Sequence, residues 1–163
     1  MSNTIKVGIA DLNVAKTPDI VVTYALGSCV GICVYDALMQ IAGLAHIMLP
    51  LSTMATGSPL SQPYRYADTA IPLLVKKMEQ MGAKRARMKA KIAGGAKMFA
   101  ATGDSDVSNI GTRNIVAVKA TLAQMKIPII AEDTGKNFGR TVFFQAEDGK
   151  MIVRAATKGE WTL

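Results

Sequence analysis

The 163-residue chain contains two cysteines, Cys29 and Cys33, and a single histidine, His46. A thiol becomes a useful nucleophile only when a base or a cation favours the thiolate. An imidazole within reach supplies that base at neutral pH, and can later protonate a departing amine. Cys29 follows Gly27 and Ser28, which mark a sharp break before a β-branched apolar stretch. Backbone N–H groups at such a turn are free to face a developing oxyanion. These residue types point to acyl transfer at an amide carbonyl, with Cys29 as nucleophile and His46 as base. Spacing alone leaves a second reading open. Cysteines usually pack as small hydrophobes, and a lone histidine among apolar residues is usually a satisfied core group. Cys33 is assigned to packing.

Whether Cys29 and His46 meet depends on the elements that carry them. Residues 29–35 and 41–48 read as strands, and only Asp36 to Gln40 separates them, so a hairpin is expected. Two adjacent registers, pairing residue 46 with 29 or with 31, both put Cys29 and His46 on one face. Directly opposed Cβ atoms then lie about 5 Å apart and diagonal ones about 7–8 Å. A slip of one residue would send His46 to the other face. Gly31, on the Cys29 face, is expected to leave room for a substrate or for the imidazole.

The rest of the chain supports this hairpin. Residues 5–14 and 20–26 read as strands. Residues 68–81 read as a helix, capped by Asp68 or Thr69, with Pro72 required in the first turn unless it kinks the helix, and Gly82 as terminator. Residues 85–92 alternate strictly and read as a strand, with Arg85, Arg87, Lys89 and Lys91 on a wet face and Ala86, Met88, Ala90 and Ile92 buried. Residues 112–125 read as a second helix. Residues 127–132, 140–146 and 151–157 read as three final strands, with an Asp148-Gly149 turn between the last two. Residues 50–65 carry three prolines and form a long loop placed to cover or gate the site. The fold class expected is a single α/β domain over 1–163, a mixed and largely antiparallel β-sandwich flanked by helices.

Composition narrows the function. The chain is 50% hydrophobic and 19% charged, enough for a core. No apolar run approaches the roughly 20 residues that span a bilayer, and the N-terminal stretch lacks the pattern of a signal peptide. A cytoplasmic protein without membrane insertion is expected. The two cysteines, four apart on a strand, would hold their Cα atoms about 13 Å apart, too far for a disulfide. Two Cys and one His make a zinc site a poor fit, and no cofactor is expected. The net charge of +7 favours acidic partners, but aromatics total 6%, which leaves little for base stacking and argues against nucleic acid. The basic residues of 85–92 and some of the ten methionines are candidates for a surface that meets acidic helices.

A family resemblance emerges from longer runs. Residues 23–36 (TYALGSCVGICVYD), followed by 43–50 (GLAHIMLP), resemble the signature of the chemoreceptor glutamine deamidases, the CheD family. The likeness continues through 65–68 (RYAD), 91–99 (KIAGGAKMF), 110–114 (IGTRN) and Gly139-Arg140. It implies a Cys-His pair assisted by a threonine, carried by Cys29, His46 and Thr23, on a sandwich akin to deamidating bacterial toxins. It implies glutamine side chains on the helical cytoplasmic part of chemoreceptors as substrate, and a CheC-type phosphatase as partner. One departure is at Gly135-Lys136, where a second glycine beside Gly135 would be expected. It lies far along the chain from the catalytic run and touches only local loop geometry. Other readings are a non-enzymatic chemotaxis adaptor binding a CheC-type phosphatase, a nucleic-acid binder, and a related thiol enzyme such as a protease or transglutaminase.

Overall fold

The computed structural model describes residues 2–57, 61–98 and 109–163. In chain order the elements are β1 (Thr4–Val7), β2 (Asp11–Lys16), β3 (Ile20–Leu26), β4 (Val30–Asp36), β5 (Ile41–Ile47), α1 (Ala67–Gln80), β6 (Lys89–Gly94), α2 (Ile110–Gln124), β7 (Ile129–Thr134), β8 (Arg140–Gln145), β9 (Met151–Ala155) and β10 (Gly159–Thr162). The strands form two five-stranded sheets, ordered β1-β3-β8-β9-β10 and β2-β5-β4-β6-β7. Pairing is antiparallel except for β1 with β3 and β6 with β7. One apolar core, including Val21, Leu26, Cys33, Leu44, Val142 and Phe144, lies between the sheets. A second joins the outer face of the β5-β4-β6 sheet to α1 and α2, through Ile32, Ile47, Leu74, Met78 and Leu122. The expected helix-flanked, mostly antiparallel sandwich is the architecture observed.

The central hairpin shows how alternation builds these layers. Along β5, Ile41, Ala45 and Ile47 face the helices, while Ala42 and Leu44 face the other sheet. Both faces are covered, so β4 and β5 are apolar apart from the buried Asp36 and His46. Met78, Met88 and Met151 fill the cores, whereas Met39, Met54 and Met98 are exposed.

Three readings of the sequence need correction. Residues 5–14 form two strands in different sheets, with the chain turning at Gly8 to Ala10, where Ala10 has φ 56. The cause is legible in retrospect: buried positions switch from odd (Val7) to even (Leu12, Val14). One straight strand cannot bury both phases on one face. Residues 151–157 stop at Ala155, and β10 returns against β9. The third correction concerns the basic segment. Arg85–Arg87 is a turn of 3-10 helix, and the strand starts only at Lys89. The fully buried Asp36 draws that turn in, accepting bonds from Arg87 Nε and Nη2 and from Lys84 N, each at 2.9 Å. Lys91 does not face water either, since its Nζ donates to the Gly149 and Leu163 carbonyls at 2.8 Å.

Helix α1 also departs in detail. Its N-cap is Tyr66 with no side-chain cap, and Pro72 lies inside the helix beyond its first turn. Asp68 instead accepts from Ser52 N and Oγ, at 2.9 and 2.8 Å, tying the 50–65 loop to the helix. Gly82 ends the helix at φ 108, as expected. The Asp148-Gly149 turn is present, with Gly149 at φ 72.

Burial alone would raise the Asp36 carboxyl, but Arg87 and the backbone N–H groups outweigh it and hold the pKa below its ordinary value. Asp36→Asn removes the charge from this buried cluster and leaves Arg87 without its partner. The expected result is a loss of about 1–3 kcal/mol of stability, read from urea denaturation midpoints.

Candidate functional site

His46 lies in β5 between β2 and β4, with Asp11 and Gly31 as its cross-strand partners. It continues the inward face set by Ala42 and Leu44, so its ring points at the opposite sheet. There it meets Thr23 of β3. Both side chains are fully buried. Thr23 Oγ1 lies 2.8 Å from the Val7 carbonyl and 2.7 Å from His46 Nδ1. The hydroxyl has one proton, and a carbonyl can only accept. Thr23 must therefore donate to Val7, and His46 Nδ1–H must donate to Thr23. The ring's proton sits on Nδ1, which leaves Nε2 with a bare lone pair. Nε2 is buried and has no hydrogen-bond partner among the described residues. Burial depresses the His46 pKa to about 4, with Asp11 opposing the shift, so the ring is neutral at physiological pH.

Cys29 sits in the bend between β3 and β4, one residue before β4 begins. Of the two registers expected, the observed one pairs Gly31 with His46, which puts Cys29 on the diagonal. All three carbonyls of the bend are held. Gly27 O accepts from Ala96 N at 2.9 Å, Ser28 O from Asn114 Nδ2 at 2.9 Å, and Cys29 O from Gly95 N at 2.8 Å. The Ser28 N–H has no acceptor among the described residues, and the Cys29 N–H donates to no other described residue but faces its own sulfur. Gly94 permits this close docking. Its φ is 108, and a Cβ there would collide with the Cys29 carbonyl.

The Cys29 thiol is half-buried, and burial pushes its pKa up, while its own backbone N–H pulls the other way. No hydrogen bond joins its sulfur to His46 Nε2. At rest a neutral thiol and a neutral imidazole thus occupy diagonal positions of the hairpin, with no preformed ion pair between them. Such an arrangement can work by general-base transfer once a substrate tightens it. Cys33 is fully buried in the inter-sheet core, and its thiol is pushed far up by burial.

Gly31 does not leave the space expected of it. A Cβ there would lie 3.1 Å from Leu26 Cδ1 and 3.7 Å from Thr23 Cγ2, so its missing side chain makes room for the wall that carries Thr23. The Gly135-Lys136 loop is also closer to the site than its sequence position suggests. Gly135 N donates to Gly94 O at 2.9 Å, and Lys97 N to Lys136 O at 2.8 Å, so this loop backs the strand that holds Cys29. Lys136 has φ 60, a left-handed conformation that glycine adopts more readily, which explains why a second glycine suits the position.

Sequence reasoning missed two residues here. Asp11 stands opposite His46, hidden by reading 5–14 as one strand. Asn114 joins Ser28 to Met48; it ends the resembling run 110–114, and a polar residue at an inward position of α2 is the further signal in the sequence. The 50–65 loop meets α2 elsewhere. Pro50 and Leu51 line an apolar cavity of about 320 Å³ with Arg113 and Val116. Residues 58–60 of that loop, and Phe99 of the resembling run, lie outside the described residues. Among the described residues, no cluster of His, Cys, Asp and Glu could hold a metal ion, and no helix is long and apolar enough to cross a membrane.

Comparison with known proteins agrees with the long runs in the sequence. A family model described as CheD chemotactic sensory transduction matches residues 48–155. A protein of Clostridium novyi (strain NT) is 52% identical over 155 residues, which is 95% of this chain and 94% of the relative. A protein of Clostridium botulinum (strain Hall) is 51% identical over 155 residues, with the same coverage. Both are named "Probable chemoreceptor glutamine deamidase CheD". The similarity runs through the strands that carry Thr23, Cys29 and His46 as well as the later elements, and on this evidence the chain belongs to the CheD family.

Proposed function

We propose that this protein, a single domain acting in the cytoplasm, hydrolyses the side-chain amides of chemoreceptor glutamines to glutamate, with Cys29 as nucleophile, His46 as base and Thr23 as the residue that orients the imidazole. The observation that carries this reading is the bare Nε2 of His46, fixed by Thr23 on the face where Cys29 lies. A buried lone pair without a partner is costly in a purely structural core. It is what a general base requires. The names of the relatives supply the substrate class.

The reaction follows from these groups. The Cys29 thiol gives its proton to His46 Nε2, and the sulfur attacks the side-chain carbonyl carbon. The oxyanion is held by the Ser28 and Cys29 N–H groups. The C–N bond breaks, and Nε2–H delivers its proton to the departing ammonia, leaving a thioester. Water then gives a proton to Nε2 and attacks the thioester. The C–S bond breaks, glutamate is released, and the sulfur recovers its proton. Through each imidazolium stage, Thr23 Oγ1 keeps its bond to Nδ1–H, and Asp11 offsets part of the positive charge. The substrate is a glutamine on a surface helix, and the chain's net charge of +7 favours encounter with an acidic bundle. A CheC-type phosphatase is the partner proposed.

The deciding experiment is mass spectrometry of a chemoreceptor cytoplasmic fragment incubated with wild-type or variant protein. Cys29→Ala should give no deamidation above background. Full deamidation by that variant would overturn the thiol mechanism, whereas a Cys29→Ala protein that deamidates nothing yet keeps full chemotactic function would favour a non-enzymatic adaptor. His46→Asn should lower kcat by about 10²–10⁴-fold. Thr23→Ala should fall between it and wild type, roughly 10- to 100-fold down, because the imidazole keeps its chemistry and loses its fixed tautomer and position. Cys33→Ser should remain active.

The depressed His46 pKa yields a pH prediction. The unfolded chain binds this proton near 6.5 and the folded chain only near 4. The stability contributed by the neutral ring is therefore complete above about pH 6.5 and lost as pH falls toward about 4, by up to about 3 kcal/mol. Urea denaturation across this range should show a steeper loss for wild type than for His46→Gln. Because the resting thiol is neutral, the rate of Cys29 alkylation by iodoacetamide should rise toward alkaline pH, without a thiolate plateau between about pH 5 and 7.

A further inference from the structure

Asn114 is a fully buried amide on the inward face of α2. Both hydrogens of its Nδ2 are engaged by backbone carbonyls, Ser28 O and Met48 O, each at 2.9 Å. Its own Oδ1 is buried and has no partner among the described residues. An asparagine is a weak helix former, and an unpartnered buried acceptor is unfavourable. The residue therefore sits where helix stability does not want it, held by its two donors alone.

The two acceptors have a meaning for the reaction. Ser28 C=O and Cys29 N–H belong to one peptide plane, in which they point in opposite directions. A bond that fixes the carbonyl also fixes the N–H, and polarises it toward stronger donation. Met48 lies two residues beyond His46. One amide thus spans from the nucleophile's turn to the end of the strand that carries the base. The neighbouring carbonyls of Gly27 and Cys29 are held by backbone donors. Among the described residues, Asn114 alone hydrogen-bonds to the bend through a side chain.

Resting on the thiol reading above, we infer that Asn114 is a positioning residue for the oxyanion site: its bond to Ser28 O aims the Cys29 N–H at the negative oxygen formed when the thiolate adds to the amide. Its action is confined to steps that develop an oxyanion. Alkylation of Cys29 by iodoacetamide proceeds by direct displacement and forms none, so it depends chiefly on the thiol and on His46, and feels this N–H only through the small pull it exerts on the thiol against burial.

That difference gives the test. Asn114→Ala and Asn114→Leu, the second keeping the volume while dropping both donors, are compared with wild type and Cys29→Ala. Deamidation of a purified chemoreceptor fragment gives kcat and KM, and iodoacetamide gives the alkylation rate against pH. The expected result for the folded variants is a kcat lowered about 10- to 100-fold, with KM and the alkylation profile within about twofold of wild type. Unchanged kcat, a loss carried by KM, or an alkylation rate that falls in step with kcat would each overturn the assignment, the last by showing a loosened turn. If Cys29→Ala deamidates as wild type does, the thiol reading itself fails and takes this inference with it. A dead Cys29→Ala beside a fully active Asn114→Ala or Asn114→Leu would overturn the role of Asn114 alone.

Discussion

The contact on which the proposed chemistry depends is the hydrogen bond between His46 Nδ1 and Thr23 Oγ1, 2.7 Å long and wholly buried. Its two ends belong to different sheets, so it exists only when the sandwich is closed. Its direction is imposed from further out. Val7 lies on the neighbouring strand and accepts Thr23's only proton. In most hydrogen bonds to an imidazole the tautomer is free to follow the partner. Here a backbone carbonyl three atoms away settles it, and the lone pair of Nε2 is a consequence of strand pairing.

Cys29, the proposed nucleophile, is fixed by a different kind of force. Thr23 and His46 are held by inward side chains, whereas the Cys29 bend is held by its carbonyls. Three consecutive oxygens are taken by Ala96 N, Asn114 Nδ2 and Gly95 N. Such a bend can approach its support closely only where side chains are missing. Gly94 has no Cβ to strike the Cys29 carbonyl. Gly111, at the start of α2, lies where a Cβ would come within 2.5 Å of Ala96 O. Backbone on backbone gives little freedom to adjust, which suits the oxyanion role proposed for the Cys29 N–H.

Electrostatics in this molecule follow burial more than net charge. The chain carries +7, but Arg87 and Lys91 are drawn inward onto Asp36 and onto carbonyls. Arg140, almost fully buried, pairs with Asp133 at 3.3 Å and donates to Gly135 O at 3.0 Å. That last bond stiffens the loop behind Gly94 to Lys97. Cations counted as surface by composition are partly structural, and those remaining outside, such as Lys89, set the field at the surface.

Much of this was legible from the residues alone. The β4–β5 hairpin and the shared face of Cys29 and His46 follow from a five-residue separation and a period of two, both local properties of the backbone. The two long helices, the Gly82 stop and the Asp148-Gly149 turn follow from local periodicity and turn chemistry in the same way. The layering of helices on one sheet face follows from β4 and β5 being apolar on both sides. What sequence could not decide was anything that depends on where distant segments land. The division of residues 5–14 between two sheets, and the 3-10 turn at Arg85, were settled by partners elsewhere: the opposite sheet and the buried carboxylate of Asp36. The tautomer of His46 needed Val7 and Thr23, 39 and 23 positions away in the chain. The grip on Ser28 needed Asn114, 86 positions away. Spacing along the chain determined which residues face the same side. Only tertiary closure decided which polar atoms are left without partners, because a hydrogen bond is satisfied by proximity in space and not by order in sequence.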